Sequence, residues 1–374
     1  MDQPLKSPGQ SALDDAFHRL FDLSRTEPAP TLEQRLDRLA RLRAAVADNE
    51  ARFEAAISAD FGHRCATETL FAESMFVLGE IKHTAKHLKK WMAPRRIATA
   101  LQFMPARNRL IPQPLGVVGI IAPWNYPLQL TLAPAVGAIA AGNRVMIKPS
   151  ELVPRFSALL KEVISAKFDA GEIVVTGIDE EVAKTFASLP FDHLIFTGST
   201  RVGRLVAEAA GRNLTPITLE LGGKSPAIVD RSADLSEAAE RIAYGKLLNA
   251  GQTCIAPDYA LVPESSVQDF ADRLQANMQK MFGTDDAARD EVLARTVSGG
   301  VTINDCLFHF AQINQPMGGV GASGTGAYHG EWGFNTLSKL KPVFYRSAFN
   351  RLADLYPPYG AKIARMEKLL RFLS

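Results

Sequence analysis

Between residues 31 and 60 the apolar positions Leu32, Leu36, Leu39, Leu42 and Val46 recur at steps of four, three, three and four. That spacing lines one face of an α-helix. Arginine and aspartate fill the places between, so they read as the solvated outer face. Thr31, after Pro28 and Pro30, is placed to cap this helix, with Gln34 three residues on as in a capping box. A second helical pattern runs from about 68 to 91 and carries His83 and His87 one turn apart. The pair has a metal-ligand spacing, but no third His, Cys or carboxylate completes a recognisable site, so packing histidines are the plainer reading.

From Pro114 the pattern changes to short β-branched runs punctuated by glycine. Residues 117–122, 144–148, 173–176 and 193–197 read as strands, with helical stretches at 127–141, 155–168 and 179–188 between them. Such alternation predicts right-handed βαβ units, hence a parallel sheet covered on both faces in an α/β fold. A second α/β block begins near Pro216, with strands at 227–229 and 259–262 around a helix at 235–250. The most apolar stretch, Leu128 to Ala141, contains Pro134 and Gly137 and is too short to span a bilayer. It reads as a buried helix. No internal repeat or low-complexity segment interrupts the pattern.

Composition adds bounds. At 374 residues and 47 % hydrophobic content, the chain exceeds one comfortable core and predicts two domains. Its 42 Lys and Arg against 40 Asp and Glu leave a net charge of +2, which argues against nucleic acid as the main partner. Three cysteines, Cys65, Cys254 and Cys306, are odd in number and far apart. They make no disulfide framework and fit a reducing compartment, where a free thiol can be a catalyst. The first fifteen residues are polar with no apolar signal core. A cytoplasmic protein, with no membrane partner, is the expectation.

Chemistry concentrates in a few runs. Cys254 sits in Gly251-Gln252-Thr253-Cys254-Ile255-Ala256-Pro257, a small-residue turn that leaves a thiol reachable. Glu220 stands between two leucines ahead of Gly222-Gly223, which suits a carboxylate whose pKa must rise. It is also a candidate for a cap or an ion pair. Asn125 lies between Pro123 and Pro127, a rigid neutral donor. A nucleophile, a carboxylate base and an amide donor are the parts that acyl chemistry on a carbonyl needs. Gly198-Ser199-Thr200-Arg201-Val202-Gly203 follows a strand and opens a helix, so backbone N–H groups there could face a pyrophosphate. It is not the ordinary dinucleotide fingerprint, and alone it is equally a plain strand–helix turn. Lys148 and Glu151, at the end of a strand, could clasp two ribose hydroxyls or form a solvated pair.

Taken in order, the runs Ala122-Pro123-Trp124-Asn125-Tyr126-Pro127, Lys148-Pro149-Ser150-Glu151, Phe196-Thr197-Gly198-Ser199-Thr200, Leu219 to Pro226 and Gly251 to Cys254 closely resemble the aldehyde dehydrogenase superfamily. Ala327-Tyr328-His329-Gly330 and the Tyr356-Pro357-Pro358-Tyr359 tail resemble its class 3 branch, which includes coniferyl, aromatic and fatty aldehyde dehydrogenases. The resemblance implies an α/β fold with a Rossmann-type cofactor domain (1–220, including the helical N-terminal region), a catalytic domain (221–325) and an oligomerisation strand with C-terminal tail (326–374). It implies NAD, with NADP possible, held by Trp124, Lys148, Glu151, Gly198, Ser199, Leu221 and Gly222. Cys254 would be the nucleophile, Asn125 the oxyanion donor and Glu220 the base that activates water, with Lys224 orienting its neighbours. No metal is implied, and a homodimer sharing a sheet through segments near 95–113 and 336–347 is. Cys65 and Cys306 lack such partners and read as structural.

The text departs from the family in one place. Only 43 residues separate Cys254 from the Ser298-Gly299-Gly300 run. The family's longer stretch there, with the EEIFGP segment whose second glutamate holds the nicotinamide ribose, is absent. The join falls around residues 280–282 and predicts lost strands, exposed sheet edges and a loosened nicotinamide. Three functions stay open: hydrolytic oxidation of an aldehyde to an acid, transfer of the acyl group to coenzyme A, and a shortened nucleotide-binding pseudoenzyme. Glu220 favours water as acceptor. Tyr126, Phe308, Phe310 and Trp332 would suit an aromatic or long apolar aldehyde, or are core. The aldehyde, and NAD against NADP, stay open, although Glu151 favours a free 2′-hydroxyl.

Overall fold

The computed structural model describes residues 8–100, 103–282 and 310–346. The chain opens with α1 (Pro8–Thr26), α2 (Leu32–Ala47), α3 (Glu50–Asp60), the short α4 (Ala66–Thr69) and α5 (Met75–Trp91). Strands β1 (Arg95–Ile97) and β2 (Arg107–Pro114) follow. The alternating part then runs β3 (Val117–Ile121), α6 (Gln129–Ala141), β4 (Arg144–Lys148), α7 (Pro154–Lys167), β5 (Ile173–Val175), α8 (Glu180–Phe186), β6 (His193–Thr197), α9 (Thr200–Arg212) and β7 (Ile217–Glu220). Next come β8 (Ser225–Ile228), α10 (Leu235–Leu247), β9 (Pro257–Leu261) and α11 (Val267–Phe282), and finally β10 (Gly324–Thr325) and β11 (Ser338–Tyr345).

Among the described residues six strands make the central sheet, in the order β10-β7-β6-β3-β4-β5, and every pair in it is parallel except β10 with β7. Strand order reverses between β3 and β6, where doubly wound sheets open a crevice at the strand C-termini. Because side chains alternate along a strand, one set packs up and the other down. Val118, Ile120, Val145, Ile147 and Ile195 join the core with α2, α3, α5, α6 and α7. Val117, Ile121, Met146, Leu194 and Phe196 join the other, with α1, α8 and α9. Both faces are covered, as the unbroken apolar strands predicted.

Two helical expectations need correction. The single helix at 31–60 is two helices, broken where the Asn49 side chain donates to the Ala45 carbonyl oxygen, 3.0 Å away, and satisfies the end of α2. The Thr31–Gln34 capping box is present. The supposed outer face of α2 is partly inside: Arg35 and Arg38 are buried. Arg35 donates to the Ala140 carbonyl at the end of α6, and Arg38 to Glu172, each at 2.9 Å. Those acceptors explain why two guanidinium groups tolerate burial. The pattern at 68–91 starts at Ala66 and passes through a π-helical turn, Leu70–Ser74, before α5 begins.

Among the described residues strands β8 and β9 pair only with each other, in parallel. Val229, Ala239 and Phe270 are the buried centre of this second block. Ile228, Tyr259 and Leu261 on its strands are 76, 44 and 52 % exposed. Residues 280–282, where the sequence places the join, form the last turn of α11. A third sheet, β1-β2-β11, joins residues 95–114 to 338–345, bringing together the two segments expected to be shared in a dimer.

Candidate active site

Glu220 ends β7, paired to Thr197 of β6 on one side and Gly324 of β10 on the other. A Cβ at Gly324 would stand 2.0 Å from the Leu219 carbonyl oxygen, so the close approach of β10 needs glycine. The Glu220 backbone is further held by Gly198 N–H donating to its carbonyl at 2.9 Å. Its side chain is buried, and Oε1 has no hydrogen-bond partner among the described residues. Burial alone pushes its pKa up to about 8. Near neutral pH the group therefore favours its protonated form.

Cys254 follows a turn of three residues in the left-handed region, Asn249, Ala250 and Gly251, with φ of 55, 53 and 75°. For Asn249 and Ala250 that conformation costs of order 1–3 kcal/mol each, and it is held by hydrogen bonds. The buried Asn249 amide donates to the Asn125 carbonyl oxygen at 2.9 Å. Asn125 Nδ2 in turn donates to the Gln252 carbonyl oxygen at 2.9 Å. One amide hydrogen of Asn125 is thereby used to orient the group, and its second is left for another acceptor. Tyr126 Oη and Thr253 Oγ1 are hydrogen-bonded at 2.6 Å. The Asn125-Tyr126 run is thus tied to the residues just before the thiol, Asn249, Gln252 and Thr253. Cys254 is half-buried. Burial, then the nearby Glu220 charge, pushes its pKa up to about 11, while backbone N–H groups of Cys254 and Ile255 oppose the rise. The resting pair is therefore a thiol beside an acid.

Residues expected to hold a dinucleotide gather at three neighbouring strand ends. Trp124 follows β3 and packs against Phe61, ring centroids 5.9 Å apart. Lys148 ends β4 with a buried ammonium paired to the exposed carboxylate of Glu151. Gly198 and Ser199 follow β6, and Ser199 caps α9 by accepting from Val202 N–H at 3.3 Å. A Cβ at Gly203 would stand 2.7 Å from Leu221 Cδ2, so α9 packs closely on the end of β7. Gly222 has open space where a Cβ would be. A capped helix N-terminus beside the switch point, with a cation–carboxylate pair after β4 and open glycine backbone after β7, fits a dinucleotide's phosphates and ribose. Lys224 pairs with the buried Asp258 at 3.1 Å.

Sequence reasoning attached no chemistry to several residues here. Tyr328 is buried, and its hydroxyl has no partner among the described residues. Burial first, then the charges of Glu220, Cys254 and Glu80, push its pKa well up, so it borders the same site. The buried pair of Arg64 and Glu73 holds the start of α6, where Glu73 accepts from Leu128 and Gln129 N–H at 2.6 and 3.1 Å. The Arg64 guanidinium also lies over the Tyr126 ring at 5.1 Å. The signal in the sequence was the glycine density from Gly318 to Gly330, which brings β10 onto the base-bearing strand. The His83 and His87 rings are tilted with centroids 4.3 Å apart, and His87 stacks on Trp91 at 5.8 Å. Cys65, read as structural, is exposed at the start of α4. Phe310 stacks on Phe76 and Trp332 is half exposed. Cys306, Phe308 and the Tyr356–Tyr359 tail lie outside the described residues.

Comparison with known proteins agrees with this geometry. The profile described as "Aldehyde dehydrogenase family" matches residues 24–291. "Probable coniferyl aldehyde dehydrogenase" of Pseudomonas aeruginosa is 40 % identical, with 95 % of each chain covered. "Coniferyl aldehyde dehydrogenase" of Pseudomonas sp. is 36 % identical over 95 % of each. A solved structure titled "Substrate bound state of Staphylococcus Aureus AldH" superposes with a TM-score of 0.88 at 31 % identity, covering 96 % of this chain and 99 % of that one. The alignment with the P. aeruginosa protein runs over 452 positions, more than the 374 residues here, so that relative carries residues without a counterpart.

Proposed function

The chain belongs to the aldehyde dehydrogenase family, and from that premise we propose that it oxidises an aromatic or long apolar aldehyde to the carboxylic acid, using NAD or NADP. The observation that carries the reading is the half-buried Cys254 thiol beside the buried Glu220, whose Oε1 is unpartnered, with Asn125 tied to the nucleophile loop. The relatives named for coniferyl aldehyde support the aromatic substrate.

Cys254 gives its thiol proton to solvent water, and the thiolate attacks the aldehyde carbon to form the C–S bond while the carbonyl electron pair moves onto oxygen. The oxyanion forms against the second amide hydrogen of Asn125 and the Cys254 backbone N–H, donors worth about 2.7–4 kcal/mol each. A bound nicotinamide supplies the hydride acceptor. Trp124, Lys148, Glu151, Gly198, Ser199, Leu221 and Gly222 would hold and orient it. The acyl group is then on sulfur as a thioester. Glu220, ionised, takes a proton from water, whose oxygen attacks the thioester carbon. The acid leaves and the thiol returns. A carboxylate buried without an ion partner is a stronger base than an exposed one, which suits this last step.

The 1–220, 221–325 and 326–374 division, the cytoplasmic location and a homodimer built on the β1-β2-β11 sheet belong to the same proposal. Exposed Ile97, Phe344 and Tyr345 on that sheet, 45–48 % accessible, support the dimer. Among the described residues no helix is long and apolar enough to cross a membrane. The residues missing relative to the P. aeruginosa protein favour a second reading, a weakly active homologue that binds nucleotide. The test is coniferyl aldehyde with NAD or NADP, with and without coenzyme A, following reduced cofactor and free acid. Reduced cofactor and free acid in equal amounts without coenzyme A are expected. A strict need for coenzyme A, or nucleotide binding with no turnover, would overturn the hydrolytic reading.

A further inference from the structure

One buried carboxylate outside the chemistry above touches both halves of the site. Asp258, four residues after Cys254, has a side chain only 2 % exposed. Its Oδ2 is 3.1 Å from Lys224 Nζ and its Oδ1 is 3.6 Å from Lys246 Nζ. Lys224 stands four residues after Glu220 and leads into β8. Lys246 is the last residue but one of α10, just ahead of the left-handed turn. Asp258 therefore joins the two ends of the loop that carries Cys254 and ties both to the turn that follows the base.

The packing supports a mechanical role. A Cβ at Gly251, where φ is +75°, would lie 3.2 Å from the Lys246 carbonyl oxygen and 3.7 Å from Lys246 Cε. The turn before the nucleophile thus rests on the Lys246 stem. Lys246 is also largely buried, whereas Lys224 is 40 % exposed. A buried carboxylate needs compensating charge, and losing one partner of such a group disturbs whatever it holds.

We propose that Asp258 is a positioning residue that sets the placement of the Cys254 thiol against the Glu220 carboxyl, through Lys246 for the nucleophile and Lys224 for the base. The inference rests on the proposed roles of Cys254 and Glu220, and it divides the labour of the clamp into two separable steps.

The experiment uses the full chain and 4-nitrophenyl acetate, which needs no cofactor. The Cys254 thiolate displaces 4-nitrophenolate to form an acetyl thioester, and water deprotonated by Glu220 releases acetate and regenerates the thiol. The burst reads the first step and the steady state the second. Lys224→Met should keep the burst and lower the steady state about tenfold, and Lys224→Arg should restore most of it. Lys246→Met should lower the burst about tenfold. Iodoacetamide labelling of Cys254, read by peptide mass, should change severalfold in Lys246→Met and stay unchanged in Lys224→Met. Asp258→Asn should show both losses, and if it does not fold, the single-lysine variants decide. Equal loss of both steps in Lys224→Met, or no change in either lysine variant, would overturn the clamp. A burst that persists in Cys254→Ala would instead overturn the nucleophile assignment, while the labelling still judges the clamp.

Discussion

The sheet from β3 to β7 buries both of its faces, whereas β8 and β9, on either side of the nucleophile loop, leave Ile228, Tyr259 and Leu261 largely in solvent. The first region has two large cores, the second a centre of Val229, Ala239 and Phe270. Both regions supply one side of the same site. The strands that end in Lys148, Thr197 and Glu220 are held between two large cores, and the loop that carries Cys254 is flanked by strands resting on one small core. The proposed join at residues 280–282 lies in the second region, at the end of α11.

Inserting the stretch carried by the P. aeruginosa relative after residue 280 should therefore act on one region alone. We expect kcat/KM to rise by orders of magnitude, since positioning can contribute roughly 7–11 kcal/mol to a barrier. Nucleotide affinity of the β3–β7 part should change far less. Equal kcat/KM for the two chains would show that the second region already positions the thiol. Asn125 bridges the regions through Gln252. Asn125→Ala should lower kcat about 10²–10³-fold with little change in KM, because the lost donor acts mainly in the transition state. A raised KM with unchanged kcat would make it a substrate contact.

Stability should follow the same contrast. Leu160, fully buried in the larger core, should cost about 2–5 kcal/mol on replacement by alanine. Ile228→Ala, at a site 76 % exposed, should stay within about 0.5 kcal/mol. Urea denaturation checks both, and a similar cost for each would mean that the exposed strand face is covered in solution. A gentler effect comes from pH. Glu220 ionises near 4.5 when unfolded and near 8 when folded. Between those values the folded chain keeps a proton the unfolded chain has lost. Its contribution is fully present below 4.5, falls as pH rises, and is gone above 8. The slope is at most about 1.4 kcal/mol per pH unit, and Glu220→Gln should flatten it. An unchanged slope in that variant would show that Glu220 is not buried as described.

Most of the scaffold was legible in the sequence, because unbroken β-branched runs and period-three-to-four patterns report burial directly. The strands at 144–148 and 193–197 lie where predicted. The buried Arg35 and Arg38 were not legible, since their acceptors, the Ala140 carbonyl and Glu172, come from distant elements. At the site, Cys254, Glu220 and Asn125 stood out by their local setting, and the structure brings them together. Tyr328 and Asp258 did not, because a buried tyrosine hydroxyl or an aspartate clamp is defined by what folds against it. The β10 strand escaped notice for the same reason. Its glycines mark close approach without naming the strand approached.

In the proposed reaction Cys254 carries the acyl group and Glu220 releases it. Glu220→Gln, incubated with coniferyl aldehyde and NAD and then digested, should carry a coniferyl-derived acyl group on the Cys254 peptide, after one rapid turnover's worth of reduced cofactor. The parent chain under the same conditions should show little of that adduct. Normal steady turnover by Glu220→Gln with an unmodified Cys254, or the acyl group on a different side chain, would contradict the account.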